Sequence, residues 1–221
     1  MKIKIKDFVE IEYTGKLKED NTVFDTTNEE IAKENNLFNK NFDYGPVVVC
    51  VGQEQVLRGI DNALIGKEAG KEYKVELKPK EAFGNKDAKL IQLMPTNKFS
   101  QQKIQPIPGL QVNIDGVFGI VKTVSGGRTL VDFNHPLAGK EISYDVKINR
   151  MVNDDKEKIK AYLKIAFGIK DCEVAIENEN AKIKMETELD KKSKEEVNKK
   201  ITEIVPTVKK LEFVIIKERK K

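Results

Sequence analysis

Hydrophobic and polar positions along this chain alternate with two periods, and the switches between them mark its elements. Val9, Ile11 and Tyr13, and later Tyr73, Val75 and Leu77, are separated by polar residues, the period of a half-buried strand. Leu57, Ile60 and Leu64 are instead spaced to share one face of a short helix, between Gly52 and Gly66. The first zone therefore reads as a sheet with one helix packed on it.

From Asn85 to Phe133 the pattern changes. Glu disappears, glutamine recurs at 92, 101, 102, 105 and 111, and three of the seven prolines gather at 95, 106 and 108. A hairpin is predicted here, 117–124 and 129–133, joined through Ser125-Gly126-Gly127-Arg128, where glycine accepts the positive φ of a tight turn. Ile142, Tyr144, Val146 and Ile148 then alternate as in the first zone, so a strand of the first domain returns after the interruption. Beyond Asn153, Ile159, Tyr162, Leu163 and Ala166 mark a helix. Cys172, Val174 and Ile176 alternate before a turn at Asn178-Glu179-Asn180, and Ala181, Ile183 and Met185 after it. Ser193 and Glu196 form a capping box before Val197, Ile201 and Ile204, and Leu211, Phe213 and Ile215 supply a closing strand. The last zone is thus α-β-β-α-β, followed by a terminal Lys-Glu-Arg-Lys-Lys read as a solvated end.

A chain of 221 residues leaves room for two or three domains. With 39% hydrophobic and 34% charged residues it has enough apolar material for real cores under a heavily solvated surface. The net charge of +4 is slight and dispersed, which argues against a nucleic-acid partner. Cys50 and Cys172 are far apart and read as free thiols; no apolar stretch is long enough to span a bilayer, and no apolar leader follows the alternating Lys2 to Lys6. A cytoplasmic protein without a membrane partner is expected.

Candidate chemistry is sparse. His135 is the one histidine, and no Cys or Ser stands in an activating motif, which excludes the usual hydrolytic arrangements. Nothing has metal-ligand spacing, and Ser125-Gly126-Gly127 lacks the helix and lysine of a phosphate loop, so no metal and no cofactor are expected.

Four ordered segments do stand out: 9–15 (Val-Glu-Ile-Glu-Tyr-Thr-Gly), 23–26 (Val-Phe-Asp-Thr), 55–60 (Gln-Val-Leu-Arg-Gly-Ile) and 78–84 (Lys-Pro-Lys-Glu-Ala-Phe-Gly). Singly, each is most simply a core aromatic entering a turn or sitting beside a cap. Together they resemble the FKBP-type prolyl isomerases, over residues 1–84 and about 134–150. The insertion after Gly84 and the run from His135 to Gly139 resemble the SlyD branch of that family, in which the insert is a chaperone domain.

The resemblance implies an α+β fold: a curved antiparallel FKBP-like sheet around a short helix at 1–85 and 134–152, with an inserted β-rich chaperone-like domain at 86–133. The α-β-β-α-β pattern at 153–221, which has no counterpart in the SlyD branch, reads as a further C-terminal accessory domain. The resemblance also implies a proline pocket walled by Tyr13, Phe24, Asp25, Val56, Leu57, Ile60, Phe83 and Tyr144, with the Leu57 N–H holding substrate and Ile60 as the floor. Such a pocket needs no acid, base or metal. Rotation about an X-Pro amide breaks no covalent bond, and an apolar site that strips water from the twisted amide favours the transition state over the planar ground state. The chain departs from the commonest FKBP pattern at Ile60, often tryptophan, and at Phe83, often tyrosine, and its flap between Asn28 and Gly45 is longer and more polar.

In the insert, Ile91, Leu93, Met94, Ile104, Ile107 and Leu110 either fill a small core or hold unfolded polypeptide. The C-terminal zone offers a homodimer interface, a second peptide surface or a plain accessory domain. Three functions stay open on sequence alone: an isomerase acting on unfolded or proline-containing polypeptides with a chaperone insert, a holdase with a degenerate pocket, and an RNA-associated factor using scattered lysines.

Overall fold

In the computed structural model, residues 1–101 and 103–216 are described; the terminal Lys-Glu-Arg-Lys-Lys lies outside them. The elements run β1 (Phe8–Leu17), β2 (Val23–Thr26), α1 (Glu29–Glu34), β3 (Val47–Cys50), α2 (Arg58–Leu64) and β4 (Lys71–Leu77). Then come β5 (Ile91–Pro95), α3 (Asn97–Gln101), β6 (Gln111–Ile114), β7 (Val117–Ser125), β8 (Arg128–Asp132) and β9 (Ile142–Val152). The chain continues through α4 (Asp155–Phe167), β10 (Cys172–Glu177), β11 (Asn180–Met185), α5 (Lys191–Ile204) and β12 (Lys210–Ile215). It divides into two compact units, Met1–Glu76 with the chain from Ile142 onward, and Leu77–Glu141. The architecture is the mixed α+β one expected, and no described helix is long and apolar enough to cross a membrane.

The first unit is organised by β1. Along one edge it pairs antiparallel with β9 over its whole length, from Phe8 opposite Val152 to Leu17 opposite Ile142. Its other edge is shared: β3 takes Phe8 to Ile11, and β2 takes Thr14 to Lys16. β4 completes this sheet beyond β9. Because successive side chains point to opposite faces, Phe8 and Val9 can both be buried only if both faces of the sheet are covered at that end.

The C-terminal residues supply one of those covers. Cys50, Phe8 and Val152 are paired neighbours across β3, β1 and β9, and all three belong to one continuous core with Ile159 and Leu163 of α4, Ile183 of β11, and Val197 and Ile201 of α5. Residues 153–221 were expected to form a domain of their own; the structure places the described ones in the same compact unit as the first sheet, over this shared core. The reason is the apolar row on β1, β3 and β9, which would otherwise face water.

Within that region the order α-β-β-α-β is as expected, with β10 antiparallel and β12 parallel to β11. Three details differ from the sequence reading. The N-cap of α5 is Asp190, whose carboxylate accepts the Ser193 N–H at 2.7 Å, so Ser193 lies inside the helix and the Ser193–Glu196 box does not form. A carboxylate at the cap also complements the positive end of the helix dipole, which a hydroxyl does not. The turn after β10 is only Asn178-Glu179, because Asn180 already pairs with Glu177. Ala166 is exposed, while Ile159, Tyr162 and Leu163 carry the buried face of α4.

The second unit holds a four-stranded sheet in the order β5-β8-β7-β6. The predicted hairpin is β7 and β8, closed by Gly126 and Gly127 at φ of 55° and 70°, the left-handed region that suits a two-residue turn. β5 and β6 escaped the sequence reading because each is short and broken by Pro95 or polar neighbours. The buried members of the core here are Phe99, Val112, Val121 and Val131. Where the chain enters and leaves the sheet it is stitched together: Lys86 Nζ reaches the buried Asp132 carboxylate at 2.8 Å, and the Asn134 amide bonds to both Asp132 and the Asp87 backbone.

Candidate functional site

The register of β1 against β9 sets Gly15 opposite Tyr144 and Tyr13 opposite Val146, so the Tyr13 and Tyr144 rings rise from the same face of the sheet. They meet edge to face with centroids 5.7 Å apart, and Phe24 from β2 meets Tyr144 in the same way at 5.6 Å. Gly15 makes this cluster possible. A Cβ there would lie 2.7 Å from the Tyr144 ring and 2.9 Å from that of Phe24, so any larger residue would drive the rings apart. Gly15 belongs to the Tyr-Thr-Gly segment noted in the sequence, yet its role depends on a cross-strand neighbour more than a hundred residues away, which local pattern does not reveal.

Beside the rings, Asp25 accepts the Tyr144 hydroxyl hydrogen at 3.0 Å. Burial raises the Asp25 carboxyl above its ordinary 3.8, with the Tyr144 bond opposing that rise. Burial and the nearby Asp25 charge push the Tyr13 phenol up to about 12 and the Tyr144 phenol upward as well. Both phenols therefore stay protonated through the neutral range and keep a hydroxyl hydrogen to donate. Among the described residues the Tyr144 hydroxyl is committed to Asp25, whereas that of Tyr13 takes no protein partner.

A cavity of about 300 Å³ opens against this cluster. Tyr13, Phe24 and Asp25 form its inner wall, Thr26, Thr27, Ala32 and Val47 its side, and Leu37, Phe42, Asp43 and Tyr44 its outer wall. The outer wall is the flap whose part in the pocket sequence alone does not assign. The flap is held in shape by the Tyr44 hydroxyl, which accepts the Asn39 N–H at 2.9 Å and donates to the Leu37 carbonyl, and by the Phe38 ring stacked on Tyr44.

Tyr144 is buried behind the rings and does not itself line that cavity. Nor do Val56, Leu57 and Ile60, the remaining predicted wall residues of this unit. They stand at the start of α2, where the buried Asp61 carboxylate accepts the N–H groups of Gly52 and Glu54, each at 2.8 Å, and folds the preceding loop onto the helix. Leu57 is the N-cap of α2, so its own N–H precedes the helical ladder and finds no protein acceptor among the described residues. Ile60 is fully buried. Phe83 lies in the second unit, its ring stacked parallel on exposed His135 with centroids 4.7 Å apart.

The six apolar residues singled out in the insert divide. Met94, Ile104 and Leu110 pack against the small core, Ile91 is half-buried, and Leu93 and Ile107 are both 56% exposed. Sequence reading missed Val117 and Phe118 at the start of β7, where Phe118 is 74% exposed. The adjacent Gly119 was the available sign, since a Cβ there would strike Val131 at 2.7 Å and the Phe133 ring, marking the face of β7 that turns inward.

Comparison with known proteins adds sequence relationship to this geometry. A family model described as FKBP-type peptidyl-prolyl cis-trans isomerase matches residues 1–100, and one described as FKBP26, IF domain, matches residues 92–137. The short-type peptidyl-prolyl cis-trans isomerase of Methanocaldococcus jannaschii is 34% identical over 146 residues, 66% of this chain and 92% of that protein. A probable FKBP-type 16 kDa peptidyl-prolyl cis-trans isomerase of Pseudomonas fluorescens is 33% identical over 112 residues, 48% of this chain and 73% of the relative. The FKBP-type peptidyl-prolyl cis-trans isomerase SlyD of Pasteurella multocida is 30% identical over 107 residues, 47% and 53% of the two chains.

Proposed function

Because the chain belongs to the family of FKBP-type peptidyl-prolyl cis-trans isomerases, we propose that it accelerates rotation about X-Pro bonds of polypeptides on the ring cluster of Tyr13, Phe24 and Tyr144. The observation that carries this reading is the cavity walled by Tyr13, Phe24 and Asp25, behind which the buried Tyr144 ring packs against both aromatics and hydrogen-bonds Asp25. The rotation barrier of about 18 to 20 kcal/mol comes from amide resonance. A dry, ring-lined surface stabilises the twisted amide, which has lost charge separation, more than the planar one. Among the described residues the Tyr13 hydroxyl has no protein partner and is left to donate to the turning carbonyl of the substrate chain. Asp25 orients Tyr144 and takes no proton from substrate.

The isomerase role is carried by residues 1–85 and 134–152 in this reading. Residues 86–133 hold unfolded segments through Leu93, Ile107, Val117 and Phe118, apolar side chains that the small core leaves exposed. Residues 153–221 contribute a homodimer contact, for which β10 and β12, the outer strands of their three-stranded sheet, offer edges. The protein works in the cytoplasm on unfolded or proline-containing polypeptides.

A protease-free assay of cis-to-trans conversion in a short proline peptide tests the central claim. Phe24→Ala should lower kcat/KM by about tenfold or more, from lost ring contact and lost exclusion of water. An unchanged rate would leave a holdase with a non-catalytic pocket. Deleting residues 86–132 should spare the peptide rate while slowing action on an unfolded protein, and sedimentation of the full chain tests the dimer.

A further inference from the structure

The flap that closes the outer side of the cavity is tied to the C-terminal residues by one carboxylate. Asp43 stands between Phe42 and Tyr44, all three on the cavity wall. Lys170 Nζ lies 2.8 Å from one of its oxygens and Lys164 Nζ 3.2 Å from the other. Lys164 is in the last turn of α4 and Lys170 follows the reversal at Gly168, so the end of one helix delivers both ammonium groups. That helix does not float. Ile159 and Leu163 anchor it in the core it shares with Phe8, Cys50 and Val152, and Ile169, between the two lysines, is buried there too.

The other bonds of the flap hold it to itself or to the strand before it. Tyr44 bonds back to Leu37 and Asn39, and the Gly45 N–H reaches the Thr27 carbonyl at 2.7 Å. Phe42 is two-thirds exposed, so little packing fixes it, and its place on the wall follows that of Asp43 next to it.

Resting on the isomerase reading above, we propose that Lys164 and Lys170 are positioning residues for the prolyl site, holding the flap through Asp43 so that Phe42 and Tyr44 stand where substrate meets them. The C-terminal region is then a structural part of the isomerase, acting on substrate affinity and leaving the rotation step alone. Bonds from Lys170 and Lys164 also keep the Asp43 carboxyl below its ordinary 3.8, so the tie persists in mild acid. Since both pairs are solvent-exposed they are weak and screened by salt, and the expected effect is modest.

The test uses the full chain and a proline peptide. Lys164→Ala/Lys170→Ala should raise KM about threefold with kcat unchanged, and should speed hydrogen exchange at the Gly45 amide, while Lys164→Arg/Lys170→Arg keeps the natural values. In the natural chain, about 0.5 M KCl should raise KM toward that of the Ala variant, a measurement that needs no variant to fold. An unchanged KM in the Ala variant, an Arg variant as impaired as the Ala variant, or a KM indifferent to salt would each overturn the proposal. Activity in the natural chain with any of those results sinks this inference alone; a natural chain without isomerisation sinks the isomerase reading and takes the inference with it.

Discussion

In the first unit Phe8, Cys50 and Val152 lie side by side across three strands and are covered by a core that continues through α4, β11 and α5. In the second, Phe118, Val117, Leu93 and Ile107 remain exposed, outside the small core of the four-stranded sheet. The contrast separates two uses of apolar surface. The first unit covers its sheet with one long shared core, and among its exposed apolar side chains Phe42 stands on the wall of the ring-lined cavity. The second keeps a core of small cross-section around Phe99, Val112, Val121 and Val131, and its fold depends correspondingly more on polar stitching at its base.

The strongest way to break the comparison is at Phe8. If the C-terminal residues and the first sheet share one core, Phe8→Ala should cost about 3 to 5 kcal/mol. Denaturant unfolding followed by a probe in β9 and one in α5 should shift together to lower midpoint. Separate transitions, with only one displaced, would show two independent cores.

Acid sharpens it from the other side. Asp132 is buried at the base of the insert, and although burial raises its carboxyl, the bonds from Lys86 and Asn134 outweigh that and hold it at about 2 against an ordinary 3.8. A depressed carboxyl contributes stability that is complete above its unfolded value and is lost as pH falls through the folded one. The second unit should therefore lose about 2 kcal/mol between about pH 4 and pH 2. Asp132→Asn should lower stability at neutral pH and flatten that acid dependence, measured by urea midpoints of the insert against pH. An equal acid slope in the variant would remove Asp132 from the account.

Two glycines give a matched pair. Gly15→Ala would place a methyl 2.7 Å from the Tyr144 ring, and Gly119→Ala one 2.7 Å from Val131. Each should cost about 1 to 3 kcal/mol from overpacking. The first should impair peptide isomerisation by displacing the rings, and the second should leave the peptide rate intact while disordering the insert, as read by near-ultraviolet circular dichroism and client binding. Loss of peptide activity in Gly119→Ala would mean that the insert shapes the prolyl cavity itself.

How much of this was legible in the sequence follows from what is local. The strand alternation at Val9, Ile11 and Tyr13 and at Ile142, Tyr144 and Val146, the Gly126-Gly127 turn and the helical stripe of α4 are encoded within a few residues, and the structure has them where the pattern puts them. Tyr13, Phe24 and Asp25 were named within ordered segments and Tyr144 through the family resemblance, and the four do meet. What escaped depends on distant partners: Gly15 beneath the Tyr144 ring, the flap residues Phe42 and Tyr44 on the cavity wall, and the Cys50–Phe8–Val152 row that ties the C-terminal residues to the first sheet. The capping error at α5 is of another kind, since Asp190 and Ser193 both suit a cap and three-dimensional entry of the chain decides between them.

The smallest expected change in stability is also the one that decides what the insert is for. Phe118 is 74% exposed and stands outside the small core, so Phe118→Ser should alter folding stability by only about 0.5 kcal/mol or less. If the exposed apolar residues are there to hold clients, the same change combined with Ile107→Ser should sharply reduce suppression of aggregation of an unfolded protein while the peptide isomerisation rate stays put. If they merely happen to be outside, both measurements will match the natural chain. A variant that instead loses stability by several kcal/mol would place Phe118 in a packed environment and erase the contrast between the units, because the second would then be spending its apolar side chains as the first does.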